Sequence, residues 1–279
     1  MMLLDLICFD CIMEQVNKGE SEAFDGASIQ TPFEQVNDNG IYEVNCAKGH
    51  TSNTIIDNIN FEILFEYGLN ALLDGYYRDA VTSVTSAMER YFEFFIKTIL
   101  KSNNSNFNSI DSTWKKISSQ SERQLGAYIM LYFQVFGKEP LLLSQNKEVP
   151  FRNSVIHKGY IPTKKEAINY SDSVLRIIEE SLLKLKENYP DDTKYTYEYY
   201  GYKSKAQEKF RKIEKETGIE QNCAIVNIMT TIDVKIGREI NPDDGRRGLV
   251  SDRLINIHQR REPRELILSK EKPKQSETK

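Results

Sequence analysis

Between residues 53 and 190 the apolar residues recur every three or four positions, which is the spacing of amphipathic helices. Asn53 or Thr54 suits the N-cap of the first helix, and Gly75 suits its end. The predicted helices cover residues 53–74, 76–101, 121–137, about 150–158 and 163–189. A polar loop is predicted at 102–113, between the second and third helices. The segment is therefore expected to form an all-helical bundle with antiparallel neighbours.

The last two of these helices have sequence signals at their ends. Pro150 lies in the first turn of the short helix, where the missing N–H of proline is tolerated. Gly159 suits the left-handed residue that closes a helix. Thr163, followed three residues later by Glu166, is typical of a capping box. These signals predict a short helix, a turn and a long helix in succession.

The first 52 residues follow a different pattern and are expected to form a separate small module. Residues 31–44 alternate in part between apolar and polar positions, as a half-buried strand does. Asn39-Gly40 within this stretch suits a hairpin turn. A polar segment this short needs a metal ion or another cross-link in order to fold.

Three of the four cysteines lie in this module, in a C-x2-C and C-x3-H pattern. Cys8 and Cys11 form the first pair, and Cys46 and His50 form the second. In a reducing compartment such pairs favour a metal site over disulfides, and zinc prefers four tetrahedral thiolate and imidazole ligands. Gly49 lets the backbone turn close to the metal. The pattern predicts a structural Zn²⁺ in a small β zinc ribbon, and the alternative is three buried cysteines that bind no metal.

Residues 191–268, which are first Tyr-rich and then Arg-rich, are expected to form a helical extension of the bundle. Six tyrosines lie between 189 and 202, where they either stack on nucleic acid bases or pack half-buried with their hydroxyls in water. Residues 204–218 have the pattern of a charged amphipathic helix. Residues 222–236 are apolar enough to pack on the bundle or on a second subunit. Residues 269–279 are predicted to be a disordered tail.

Charge and composition narrow the classes of function. The chain of 279 residues has a net charge of −4, and its 39% hydrophobic and 28% charged residues are ordinary for a globular protein. With this net charge, nucleic acid binding requires a local basic patch. Asp5 and Asp10 interrupt the apolar start of the chain and no basic residue precedes it, so neither a signal peptide nor a membrane span is expected. These features predict a cytoplasmic protein without membrane contact.

The stretch RNSVIHKG contains one of only three histidines in the chain. Arg152, Asn153 and His157 form an R-N-x3-H motif on a short helix that leads into the last long helix of the predicted bundle. The motif resembles the signature of the HEPN family, which is an arginine, a polar residue, three residues and a histidine. The resemblance covers about residues 53–190, and the paired first helices of the bundle strengthen it.

The resemblance implies a metal-independent endoribonuclease that cleaves RNA by attack of the 2′-hydroxyl, without a catalytic metal. His157 would move a proton, because imidazole titrates near neutral pH, and Arg152 would hold the charge that builds on the phosphate. Asn153 lies four residues before His157, on the same helix face, where the two side chains can hydrogen-bond. Glu89 is the candidate for the polar residue that family members often place on an early helix, facing the motif.

The spacing of the motif bears on assembly. Arg152 and His157 are five residues apart, so an ideal helix places them about 140° apart and not on one stripe. In HEPN ribonucleases two copies of the motif meet across a dimer, so the resemblance implies a homodimer with RNA as its substrate. Such families are commonly toxins or antiviral effectors, which implies a trigger protein or an antitoxin as a further partner. The alternative is a non-catalytic HEPN-like scaffold that binds a nucleic acid or a protein.

Overall fold

The computed structural model describes residues 3–4, 6–18, 34–220, 222–232, 234–235 and 249–258. The N-terminal elements are β1 (Leu3–Leu4), α1 (Phe9–Asn17), β2 (Glu34–Gln35), β3 (Ile41–Asn45) and β4 (Thr51–Ile56). The helices that follow are α2 (Asn60–Leu73), α3 (Tyr77–Ser102), α4 (Phe107–Trp114), α5 (Ser121–Phe136), α6 (Glu148–Lys158), α7 (Lys164–Asn188), α8 (Pro190–Tyr200) and α9 (Tyr202–Thr217). Strand β5 (Cys223–Val226) and a helix over 250–258, α10, complete the described chain. The fold is mainly α-helical, as the sequence predicts, and no helix within these ranges is both long and apolar enough to cross a membrane.

Helix α3 is the centre of the bundle and packs against α2, α5, α6, α7 and α8. Tyr91 and Phe95 on its inner side are fully buried. Tyr128 of α5 stacks on Phe92 with 4.2 Å between ring centroids and meets Phe95 edge-on at 5.0 Å. This aromatic core fixes the rotation of α3, and therefore the side on which its charged residues emerge.

Helices α2 and α3 form a closely packed pair because α2 has a glycine where they touch. A Cβ atom on Gly68 would lie 2.5 Å from Cγ2 of Val84, well inside van der Waals contact. The turn between the helices contains Gly75, whose φ of +83° lies in the left-handed region that favours glycine. The predicted end of this helix is confirmed.

The predicted start of the same helix is wrong. Asn53 and Thr54 are strand residues of β4 and do not cap a helix, because α2 begins only at Asn60. Strand β4 pairs antiparallel with β3 and parallel with β5, and its two isoleucines are fully buried. Its buried apolar residues fit a helical face as well as a strand buried on both sides, so apolar spacing alone does not show the pairing with β3 and β5.

The polar loop predicted at 102–113 contains a helix. Asn106 caps α4 by accepting a hydrogen bond from the backbone N–H of Ser109 at 2.8 Å. Ile110 and Trp114 are buried beneath it. Two apolar anchors four residues apart are sufficient for a two-turn helix on the surface of a bundle, although the segment as a whole is polar.

The turn predicted at Asn39-Gly40 exists, but it does not close a hairpin. Gly40 has a φ of +62°, and a Cβ atom there would collide with the side chain of Tyr202. Strand β2 pairs with β1, whereas β3 pairs with β4. The hairpin is therefore β3–β4, and its tip lies at residues 46–50, where the second metal-binding pair was predicted.

The ends of α6 and α7 agree with the sequence signals. Gly159 closes α6 with a φ of +74°. The Thr163 side chain accepts from the backbone N–H of Glu166, and the Glu166 carboxylate accepts from the backbone N–H of Thr163 at 2.8 Å. This capping box holds the Glu166 carboxyl in its charged form and lowers its pKa. Local chemistry thus fixes where the R-N-x3-H helix stops and in which direction the chain leaves it.

The chain after β5 is attached to α2 by two buried carboxylates. Glu62 accepts a hydrogen bond from the backbone N–H of Val234 at 3.0 Å, and Glu66 accepts one from Thr231 at 2.9 Å. Each carboxyl oxygen satisfies a backbone N–H that would otherwise be buried without a partner. The apolar segment after residue 222 therefore packs on the bundle, while the tail predicted at 269–279 lies outside the described residues.

Most of the clustered tyrosines are packing residues. Tyr197 and Tyr202 are buried. Tyr199 stacks on Phe107 at 4.0 Å between ring centroids, and the Tyr200 hydroxyl donates to Asp111 at 2.8 Å. Of the two interpretations of this segment, half-buried packing describes these residues.

Candidate functional site

The four predicted metal ligands come together at one end of the N-terminal module. Cys8 is the residue before α1, and Cys11 lies in the first turn of that helix. Cys46 and His50 flank the tip of the β3–β4 hairpin. Their ligand atoms all lie within 4.8 Å of one another, and the three cysteines are buried. The residues that the sequence pattern singled out are therefore close enough to bind one metal ion.

The distances agree with a tetrahedral ion. In a tetrahedral site with metal–sulfur bonds of about 2.3 Å, two sulfurs lie about 3.8 Å apart and a sulfur and a nitrogen about 3.6 Å apart. The Sγ atoms of Cys11 and Cys46 are 3.7 Å apart. The His50 Nδ1 atom lies 3.4 Å from Sγ of Cys11 and 3.9 Å from Sγ of Cys8. These three distances are close to those of a bound tetrahedral ion, and all ligand atoms of the set lie within 4.8 Å of one another.

The hairpin tip presents its two ligands by a tight turn. The backbone N–H of Gly49 donates to the Cys46 carbonyl at 2.9 Å, and the Cys46 N–H donates to the His50 carbonyl at 3.0 Å. Gly49 has a φ of +86°. A residue with a Cβ atom is strained in that conformation, which is the reason for glycine before the histidine.

A carboxylate outside the ligand set orients the histidine. The Nε2 atom of His50 lies 3.2 Å from a Glu14 oxygen of α1, and Lys48 holds the other Glu14 oxygen at 3.0 Å. When Nε2 carries the proton toward Glu14, Nδ1 turns its lone pair toward the sulfurs. The Ser52 hydroxyl donates to Sγ of Cys8 at 3.4 Å. This arrangement around the ligands is typical of protein metal sites.

Two of the thiols differ strongly in acidity. Burial raises the pKa of the Cys46 thiol, but the backbone N–H groups of His50 and Lys48 outweigh burial and lower the pKa to about 7. Burial raises the pKa of the Cys11 thiol to about 12, and the neighbouring thiols of Cys46 and Cys8 add to the rise. Cys46 therefore ionises more readily than Cys11, and a bound dication would displace the thiol protons of its ligands.

The first cysteine pair is not held by a tight turn, as it would be in a zinc ribbon with two similar turns. The first cysteine pair lies at the beginning of a helix, because Cys8 is the N-cap of α1 and the helix continues to Asn17. The sequence around this pair lacks the Pro or Gly of a tight turn, and a helix start does not require them. The site thus joins α1 to the β3–β4 hairpin.

The second candidate site lies on α6, where the structure pairs two of the predicted residues. Nη2 of Arg152 lies 2.7 Å from a Glu89 carboxylate oxygen on α3. The side chains are 20% and 26% exposed, so the pair lies at the edge of the core and reaches solvent. The Nε atom of Arg152 is buried and has no hydrogen-bond partner among the described residues. Glu89, the candidate on the early helix, therefore lies in direct contact with the motif arginine.

Asn153 and His157 lie together on a side of α6 that differs from the side of Arg152. Asn153 is half-buried and His157 is exposed in the last turn of α6. Arg152 instead faces α3, where it contacts Glu89. An ideal helix places it about 140° from His157. A single chain thus does not place the arginine and the histidine side by side.

A buried tyrosine completes the surroundings of Arg152. The Tyr170 hydroxyl of α7 lies 2.8 Å from the Thr85 hydroxyl of α3. Burial raises the pKa of Tyr170 to about 12, and the charges of Arg152 and Glu89 act on it in opposite directions. Its phenol therefore stays neutral at physiological pH. Sequence reasoning missed Tyr170, since its apolar spacing on α7 is that of an ordinary core residue.

An open groove of about 510 Å³ lies between α6 and α7. Phe151 and Tyr170 line it with their rings, and Glu148 and Ser173 hydrogen-bond to each other at its wall. Neither Arg152 nor His157 is among its lining residues.

Comparison with protein-family models, with curated proteins and with solved structures gives no match for this chain.

Proposed function

We propose that the protein is a metal-independent endoribonuclease of HEPN type. The observation that supports this best is the 2.7 Å contact between Arg152 and Glu89, because it joins the motif arginine to a carboxylate of an early helix at the edge of the bundle. The R-N-x3-H motif alone is short, whereas an acidic partner for its arginine is a second and separate point of agreement with the family.

The chemistry needs a proton carrier and a cation. His157 accepts the proton of the ribose 2′-hydroxyl or donates one to the leaving 5′-oxygen. Arg152 holds the charge that builds on the phosphate, with Glu89 fixing the direction of its guanidinium. The P–O5′ bond breaks as the 2′-oxygen bonds to phosphorus. The products carry a 2′,3′-cyclic phosphate and a 5′-hydroxyl.

The direct test is an assay of the purified protein on total RNA in the presence of EDTA. Because no catalytic metal takes part, we expect cleavage to continue while the structural metal remains bound, and the fragment ends to be those given above. A wild-type protein that cleaves no RNA under any trigger tried would contradict the proposal.

The site also requires a second copy of the chain. Since Arg152 and His157 point in different directions from α6, we expect a homodimer whose interface lies near residues 150–162. Light scattering at micromolar concentration measures its mass. A strict monomer that still cleaves RNA would contradict a composite site.

For the metal cluster we propose a structural Zn²⁺ held by Cys8, Cys11, Cys46 and His50. Three thiolates and one imidazole suit zinc, and the absence of an open ligand position suits a structural role. The metal would hold α1 against the β3–β4 hairpin. In this proposal it takes no part in RNA cleavage.

A specific observation favours a second candidate, a non-catalytic scaffold. Glu89 neutralises Arg152, so the pair can serve only to join α6 to α3. In that case the protein binds a nucleic acid or a partner protein with its bundle and metal module. Replacing His157 separates the two candidates. The substitution abolishes RNA cleavage by a ribonuclease, whereas a scaffold has no cleavage activity to lose.

Glu89→Gln tests whether the acidic partner acts on catalysis. The amide keeps the shape but not the charge, so we expect Arg152 to lose its fixed direction and cleavage to fall by about tenfold to a hundredfold, as small misplacements in active sites do. RNA affinity should change little. The measurement is single-turnover cleavage together with binding.

A matched control for this variant is Glu179→Gln. Glu179 makes a similar contact of 2.6 Å with Arg253, far along α7 from the motif. We expect a loss of thermal stability, because Arg253 is buried, and no change in cleavage by the protein that stays folded. If both variants lower cleavage equally, loss of stability explains the effect and Glu89 has no special role.

A further inference from the structure

The face of α3 that carries Glu89 continues into a second charged cluster. Glu93 lies four residues after Glu89, so the two carboxylates share one side of the helix and are about 6 Å, or just over one turn, apart along the axis. Glu93 pairs with the guanidinium of Arg90 and with Lys97 at 2.8 Å. Two arginines, Arg152 and Arg90, thus lie against successive carboxylates of one helix.

Arg90 lies at the edge of a cavity of about 240 Å³ between α2, α3 and the α8–α9 corner. The walls combine cations with aromatic rings. The lining side chains that matter for binding are Arg90, Lys97, Lys205, Glu93, Phe94 and Tyr200. Three cations therefore face a single carboxylate in the wall, in a chain whose net charge is −4.

The three cations have different roles. Lys97 is buried, pairs with Glu93 and Asp111, and lies 3.8 Å from the centre of the Tyr200 ring. It fixes the walls of the cavity and is already saturated by these contacts. Asp111, behind Lys97, offsets one of the three positive charges, so the cluster as a whole keeps a net charge of about +1.

The other two cations reach solvent. The Arg90 side chain is 31% exposed, and its second terminal nitrogen donates to Gln124 at 3.1 Å, so it is held in one position. Lys205 is exposed at the first turn of α9 and has no carboxylate within ion-pair distance among the described residues. One positioned guanidinium and one exposed ammonium, which lies 5.5 Å from the centre of the Tyr202 ring, therefore border the same cavity.

We propose that this cluster is a docking site for a single-stranded segment of RNA, which runs along α3 from Arg152. Arg90 and Lys205 contact phosphates, and the cavity between them admits one base. A duplex hides its base faces and is too wide for a cavity of this volume, so a single strand is the form that fits. The inference rests on the proposed function, because it takes RNA as the substrate.

The test measures binding of a short fluorescein-labelled single-stranded RNA by anisotropy. All proteins carry His157→Ala, so the RNA stays intact. We expect Arg90→Gln and Lys205→Gln each to weaken binding several-fold, and each to reduce the slope of log affinity against log salt by about 0.7, the value for one lost phosphate contact on a single strand. In the catalytically active protein, the same changes should raise KM and leave kcat nearly unchanged.

Arg211→Gln is the matched control. It removes one positive charge from the same helix as Lys205, at an exposed position on the other flank of α9 that does not line the cavity. Its affinity for RNA should equal that of the parent. A loss as large as that of Lys205→Gln would mean that net charge and not the docking site determines binding, and would overturn the inference. Lys205 makes no ion pair among the described residues, so its variant tests the site even if Arg90→Gln unfolds.

The outcomes also separate this inference from the proposed function. A protein that cleaves RNA, but whose Arg90 and Lys205 variants bind RNA normally, has another docking site. A protein that cleaves no RNA, but whose binding is lost in both variants, supports the docking site and contradicts the ribonuclease. The same two variants can also be tested for binding to a labelled DNA duplex. If they weaken duplex binding as much as they weaken binding of single-stranded RNA, the site has no preference for single strands.

Discussion

His157→Ala is expected to reduce RNA cleavage by at least about a hundredfold, the usual contribution of a group that moves a proton in the transition state. The side chain is exposed in the last turn of α6, so its loss removes no core contact and should leave the melting temperature almost unchanged. Single-turnover cleavage of a defined RNA measures the effect. RNA affinity should remain within a factor of about two, because a proton carrier contributes little to binding.

His258→Ala is the control for this result. His258 is also an exposed helical histidine, on α10 and remote from α6 in sequence. The His258→Ala variant should cleave RNA at the rate of the unmodified protein. Equal cleavage by the His157 and His258 variants would move the assignment to the scaffold, since the motif would then have no catalytic role.

Arg152→Ala should reduce cleavage by a similar factor, but it has a second effect. Removing the guanidinium leaves Glu89 without the partner that it contacts at 2.7 Å, and the carboxylate is only 26% exposed. A modest loss of stability is therefore expected together with the loss of activity. Arg152→Lys keeps the charge but not the planar fork. Its stability should therefore be closer to that of the unmodified protein than its activity is.

The parts of this fold that sequence reasoning predicted are those that neighbouring residues determine. The capping box at Thr163 and the left-handed Gly159 involve partners within a few positions, and both are as expected. Strand β4 was assigned to a helix because a strand that is buried on both faces has an apolar run that periodicity does not distinguish from a buried helix. Only its pairing with β3 and β5 determines the strand.

The same division applies to the candidate sites. The metal ligands were predictable because each pair is local, and the chemistry of thiolates and imidazole supplies the reason for the two pairs to meet. The Arg90 cluster was not predictable. Its members come from α3 and α9, and only the packing of these helices brings Lys205 to the cavity that Arg90 borders. A lysine in an amphipathic helix has no sequence feature that distinguishes a binding residue from a solvated one.

Cys46→Ser is expected to remove the bound zinc and to unfold the N-terminal module while the bundle stays folded. Elemental analysis should give about one zinc per chain for the unmodified protein and less than about a tenth of that for the variant. Zinc contributes much of the folding free energy of small modules that have little core of their own. Amide hydrogen exchange should therefore show loss of protection in α1 and in the β3–β4 hairpin, and less in α3 and α7.

The fourth cysteine supplies the control for the metal. Cys223 lies half-buried in β5, outside the ligand cluster, so Cys223→Ser should keep both the zinc and the protection. Acid should act on the unmodified protein as Cys46→Ser does, because each ligand must lose a proton to bind and falling pH returns it. The zinc should leave as the pH falls, and a chelator at neutral pH with a reductant present should give the same local unfolding. If Cys46→Ser keeps full protection with no zinc bound, the four residues are only a buried cluster, and α1 is held to the hairpin by packing alone.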